Sequence, residues 1–173
     1  MAELADAYAS GAYEATRVGS TPTMPTMKII VLLLVVILLV FCFFELNAEI
    51  IINNCVFQAE TAILPKELEK GLSQRDSLGN GQGMLFLFSS LRKPVFWMKG
   101  MKFPLDVLWL RENTIIETSE NIPLLTQGDV TTITPSQEIN KVLEVKSGTV
   151  SECIIKAGDK ATFRYYFTPR WIK

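Results

Sequence analysis

From Ile29 to Phe44 the chain is apolar at every position, IIVLLLVVILLVFCFF, and this run separates a polar leader from a long region in which short apolar runs alternate with turns. Its 16 residues, wound as a helix at ~1.5 Å per residue, span roughly 24 Å. That is short of the ~30 Å of a hydrocarbon core, so the run suits a short anchor or the core of a signal peptide. Lys28 precedes it, Glu45 and Glu49 follow it, and Leu46-Asn47-Ala48 offers a small residue at which a signal peptidase could cut. The bulk of Leu46 at a position that wants a small side chain favours the anchor over the cleaved signal. Either way, the expectation is a single-pass membrane contact through Ile29 to Phe44 with the C-terminal region outside the cytoplasm. Cleavage would instead leave that region secreted or periplasmic. Residues 1–26 read as a polar tail or as the product of a start assigned upstream of Met27, 27–48 as anchor or signal, and 49–173 as the exported domain.

Within that domain the apolar spacing mostly has the period of strands. Val56 to Ala62 alternates imperfectly, and Met84 to Phe88 is apolar throughout, as expected of a strand covered on both faces. Val95 to Met98, Leu105 to Leu110, Ile115 to Glu120, Asn140 to Lys146 and Lys160 to Phe167 complete the set, with a hairpin predicted about Arg111 to Thr114. Pro65 suits the first turn of a short helix whose apolar stripe is Leu64, Leu68 and Leu72, with Gly71 near its end. Ser147 to Ile155 suggests a second short helix, a polar Thr-rich stretch lies between Glu120 and Asn140, and Gly79 to Gly83 forms a turn. The fold class expected is mainly β, α+β at the margin, with one or two short helices behind one N-terminal transmembrane or signal helix.

Composition narrows the chemistry. The chain has no histidine, which excludes Ser-His-Asp and Cys-His catalysis and any histidine metal site. Setting aside Arg17, Lys28, Glu3, Asp6, Glu14 and Glu45 reduces 17 basic and 18 acidic residues to 15 and 14, without the basic excess that nucleic acid requires. With Cys42 in the apolar run, Cys55 and Cys153 remain, and neither has a CxxC partner, so no zinc or iron-sulfur site and no cofactor is expected. They could bridge in an oxidising compartment or sit apart as small buried thiols, and the second reading is preferred.

Four motifs appear in order: Gly83-Met84-Leu85-Phe86, Phe96-Trp97-Met98-Lys99, Pro104-Leu105-Asp106 and Val142-Leu143-Glu144. Together they resemble the domain of unknown function 192 family from about Val56 to Phe167, with Gly71-Leu72, Arg75 and the Gly158-Asp159 turn included. The resemblance implies a compact β sandwich with small helices behind a signal or anchor, and no established activity. Gly100 and Met101 depart from it, standing where the family has Asn and Thr.

Several charged residues fall amid apolar strands and form the candidate site: Arg75, Trp97, Lys99, Asp106 and Glu144. Strand alternation places Asp106 with Leu108 and Leu110, and a buried carboxylate needs a partner, for which Lys99, Lys102, Arg75 or Arg92 are the available cations. Glu144 could pair with Arg75 in the same way. These residues could bind a small polar ligand beside the Trp97 ring, or form structural ion pairs, and the structural reading is preferred for Asp106. Met84, Met98 and Met101 could offer thioethers to copper, but methionines beside Phe and Trp are more often core filling. The expected function is a membrane-tethered extracytoplasmic binding module for a small ligand or an envelope protein. The alternative is a small hydrolase or transferase using Lys, Asp and Glu as acid and base.

Overall fold

The computed structural model describes residues 24–124 and 131–169, so the polar tail up to residue 23 and part of the Thr-rich stretch lie outside the described residues. The chain divides into two compact units, Met1–Cys42 and Phe43–Lys173. In the first, helix α1 (Met24–Phe43) carries Thr26 and Lys28 in its first turns and is apolar from Ile29 onward, where every side chain from Ile29 to Leu39 is exposed, by 45 to 65%. Among the described residues no helix is long and apolar enough to cross a membrane. The apolar run does not end as one segment, because Phe44, its last residue, begins a strand.

The second unit is built on one sheet. Its strands are β1 (Phe44–Ile52), β2 (Cys55–Ala62), β3 (Gln82–Arg92), β4 (Phe96–Trp97), β5 (Leu105–Arg111), β6 (Thr114–Ile122), β7 (Thr132–Ile133), β8 (Ile139–Lys146) and β9 (Ala161–Pro169). Helix α2 (Pro65–Lys70) links β2 to β3, and α3 (Thr149–Glu152) follows β8. Seven strands pair in the order β6-β5-β8-β3-β2-β1-β9, antiparallel except β2 with β3, whose parallel pairing requires the crossover that carries α2. A separate ribbon pairs β4 with β7.

The expected sandwich of two stacked sheets is not what these pairings describe. The sheet instead curls until its two end strands meet. Thr114 bridges Lys160, the Ile115 amide donates to Asp159 O at 3.0 Å, and the Ala161 amide donates to Asn113 O at 2.8 Å. A sheet rolled this far has an inside and an outside, and alternation along each strand supplies a core to both. Ile50, Phe57, Leu85, Leu108, Leu110, Ile115, Leu143 and Val145 form the inner cluster. Met84, Phe86, Val107, Trp109, Ile139 and Val142 form the outer one, with Leu72 and Leu78 from the crossover and Phe96, Met98 and Met101 packed on it. Packing against this outer cluster accounts for Met84, Met98 and Met101.

Gly83 permits a close approach of β3 to β8: a Cβ there would stand 2.7 Å from the Glu144 carbonyl oxygen. The hairpin predicted about Arg111 to Thr114 is present, with Glu112 in the left-handed region at φ 54°. β1 was not among the expected strands, although it is bonded to β2 on one side and β9 on the other. Cys55, at the start of β2, is disulfide-bonded to Cys153, just beyond α3, which corrects the expectation of two separate thiols.

Candidate functional site

Outside the curled sheet, α2 and β4 stand apart over β3, β5 and β8 and leave a cavity of about 430 Å³ between them. Its size falls within the range of small-molecule sites, and its walls are chiefly aromatic and aliphatic: Leu68, Leu72, Phe86, Phe88, Phe96 and Trp97. Three ring contacts hold the walls. Phe96 meets Phe86 edge to face with centroids 4.9 Å apart, it meets Trp109 likewise at 5.5 Å, and the Arg92 guanidinium lies 5.4 Å above the Phe88 ring. Trp97 forms part of the rim and is about half exposed, at 49%.

Glu144 lies in the wall of this cavity, 7% exposed. Alternation in β8 decides its direction, because Leu143 and Val145 point into the inner core while Val142 and Glu144 point outward. The Glu144 carboxyl has no hydrogen-bond or ion-pair partner among the described residues, and every fully sealed side-chain nitrogen or oxygen does have one. Its oxygens therefore open on the cavity. Burial pushes its pKa up to about 8, because the charged form would lose its hydration with nothing to replace it. Gly71, at φ 49°, brings the end of α2 against this wall, where an added Cβ would lie 3.3 Å from Phe86 Cζ and 3.9 Å from Glu144 Oε2.

Of the residues proposed from sequence, Trp97, Lys99 and Glu144 meet at this cavity, and Arg75 and Asp106 do not line it. Arg75 forms a bidentate pair with Glu60, both N–O distances 2.8 Å, so it is not the partner of Glu144. That pairing holds the Arg75 guanidinium firmly in its charged form. Asp106 lies on the inner face, and its partners are backbone amides in place of the expected cations: Asn121 N at 2.7 Å and Val150 N at 2.9 Å. Lys102 pairs with Asp76 at 2.6 Å. Sequence reasoning missed Phe88 and Gly71 as site residues and gave Arg92 a different role, as a partner for Asp106. The legible signal was the position of Glu144 two residues beyond Val142 in a strand flanked by apolar neighbours.

The arrangement defines a class: a small curled β domain with an aromatic-walled pocket and, inside it, a carboxyl unpartnered among the described residues. A match to the domain of unknown function 192 family, described as "Uncharacterized ACR", covers residues 48–163, and the chain belongs to that family. No curated protein matches the chain. Among solved structures it is similar to a protein of Sinorhizobium meliloti 1021 described as a candidate transcription regulator. The two are 28% identical with a TM-score of 0.61, over 69% of this chain and 93% of that one. It is similar also to a protein of unknown function from Novosphingobium aromaticivorans DSM 12444, 27% identical with a TM-score of 0.61, over 67% of this chain and 84% of that one.

Proposed function

We propose that the domain is a membrane-tethered extracytoplasmic module that binds a small ligand in the cavity beneath α2 and β4. The observation that carries this reading is Glu144: a carboxyl nine-tenths buried, unpartnered among the described residues, and open to a cavity of ligand size. A polar group buried at a cost with no structural partner is what a binding site retains for its ligand. Two observations support the location. A disulfide between Cys55 and Cys153 belongs in an oxidising compartment, and the exposed apolar side chains of α1 from Ile29 to Leu39 favour apolar surroundings.

Thermal unfolding of the full chain in detergent, against a panel of sugars, amino acids, nucleotides and peptidoglycan fragments, tests the reading. A ligand at a hundred times its dissociation constant adds ~2.7 kcal/mol. The stabilisation should vanish in Glu144→Gln or Trp97→Ala. A ligand that stabilises both folded variants as it does the parent would place binding elsewhere.

The same carboxyl favours one second reading, acid–base catalysis in a hydrolase or transferase, since a group titrating near 8 is poised to exchange protons at neutral pH. Lys99 and Ser73 also line the cavity. Turnover of a panel ligand whose rate, but not affinity, is lost in Glu144→Gln would select this reading over simple binding.

A further inference from the structure

The cavity's charges fall into two sets that do not neutralise one another. Lys70 from α2, Arg92 from β3 and Lys99 after β4 line it, and none of the three pairs with an acid among the described residues. Glu69 of α2 and Glu144 of β8 are the acids in the lining. Lys70, Arg92 and Lys99 are all exposed, whereas Glu144 is buried, so the cations belong to the mouth and the carboxyl to the interior. The rings of Phe86, Phe88 and Phe96 line the same cavity. We infer that the ligand is a zwitterion of one polarity: a primary ammonium seated against Glu144, an apolar stem along the rings, and an anionic group at the cationic mouth. This rests on the pocket reading above and names its ligand class.

Three arguments select this class. An ammonium gives the buried carboxylate the charge-assisted hydrogen bond that none of the described residues supplies. The aromatic rings that line the cavity also favour a cation over a neutral donor. At the mouth, three unpaired cations against one acid favour an anion, carboxylate or phosphate alike. The arrangement also sets a proton balance. Burial pushes the Glu144 pKa up to about 8, so at pH 7 an arriving ammonium is expected to displace the carboxyl proton to solvent as the ion pair forms. Glu69, Lys70, Arg92 and Lys99 are the other charged groups that face the cavity.

Isothermal titration of the full chain in detergent, blanks subtracted, with four probes of equal stem tests the inference: 6-aminohexanoate, hexylamine, hexanoate and hexanol. The aminohexanoate should bind about tenfold or more tighter than hexanoate. It should release close to one proton at pH 7 and almost none at pH 9, read from the heats in two buffers of different ionisation enthalpy. Glu144→Gln should reduce aminohexanoate to the affinity of hexanoate, and Arg92→Ala with Lys99→Ala should reduce it to that of hexylamine. Should Glu144→Gln fail to fold, the ratio between probes in the parent chain decides alone. Hexanoate or hexanol binding as tightly as aminohexanoate overturns the ammonium assignment while leaving the pocket reading standing. Binding of none of the four overturns the inference, and the broader panel then judges the pocket reading by itself.

Discussion

The carboxylate of Asp106 accepts the backbone amide of Val150, 44 residues further along the chain, at 2.9 Å. Its other oxygen accepts the Asn121 amide at 2.7 Å, so one fully buried side chain ties β5 to the end of β6 and to the first turn of α3. Asp106→Ala would take the acceptor from both amides, the Val150 one in a buried position, a loss of about 3 kcal/mol. Thermal unfolding should show a fall in Tm on the order of 10 °C. Asp106→Asn, which keeps one acceptor, should lose less. An unchanged Tm in both variants would mean that these bonds contribute nothing net.

Glu144 makes stability depend on pH in an unusual direction. Its folded pKa is about 8 against an ordinary 4.5, so between those values the unfolded chain is ionised and the folded one protonated. The folded state then binds more protons, and stability falls as pH rises from about 4.5 to 8, levelling off above. The full swing is on the order of 3–5 kcal/mol. Unfolding across pH 5 to 9 should show this slope in the parent and lose it in Glu144→Gln, which should be the more stable of the two at pH 8. A parent profile as flat as the variant's would show that the carboxyl is hydrated after all.

Gly83→Ala should be among the most damaging small changes. The new methyl would stand 2.7 Å from the Glu144 carbonyl oxygen and 3.2 Å from Leu143 Cδ1, so β3 and β8 would have to part. Overpacking of this kind costs about 1–3 kcal/mol, and because Glu144 shares the affected residue, ligand binding should weaken in step with stability. A Tm loss with undiminished binding would show that the cavity wall is independent of this contact.

Cleavage after Ala48 would remove Phe44 to Ala48 from β1, including an Ala48 with no exposed surface and pairings to Tyr165 and Pro169 of β9 at its ends. The Thr61 hydroxyl would also lose its bond to Leu46 O at 2.7 Å. We therefore expect the processed protein to keep α1. Intact-mass analysis of the protein isolated from membranes should find no chain beginning at Glu49. A dominant species starting there would sink the tethered reading.

Much of the sheet was legible because its strands carry their own periodicity. Met84 to Phe88 is apolar on both sides since the curled sheet has a core inside and another outside, a pattern the sequence shared with a sandwich. β1 was hidden because Phe44 continues the apolar run of α1 and nothing polar marks the change from helix to strand. Alternation located Asp106 and Glu144 as outliers but could not tell that they face opposite sides of the sheet, a matter settled by how β5 and β8 pair. The partners of Asp106 were equally illegible: backbone amides leave no trace in residue type, so cations were sought in their place. Val95 to Met98 shrank to two paired residues because its partner β7 is itself that short.

The bond between Cys55 and Cys153 closes a covalent ring across 98 positions of sequence, and β2 through β8 lie within it. A protease that cuts once inside this ring, at the exposed Gly79-Asn80 step for instance, opens the ring without releasing a fragment. The nicked molecule should run as one species until reductant is added and as two afterwards. Damage to a single exposed turn thus leaves all the strands on one tether, held at an effective concentration from which they can re-pair.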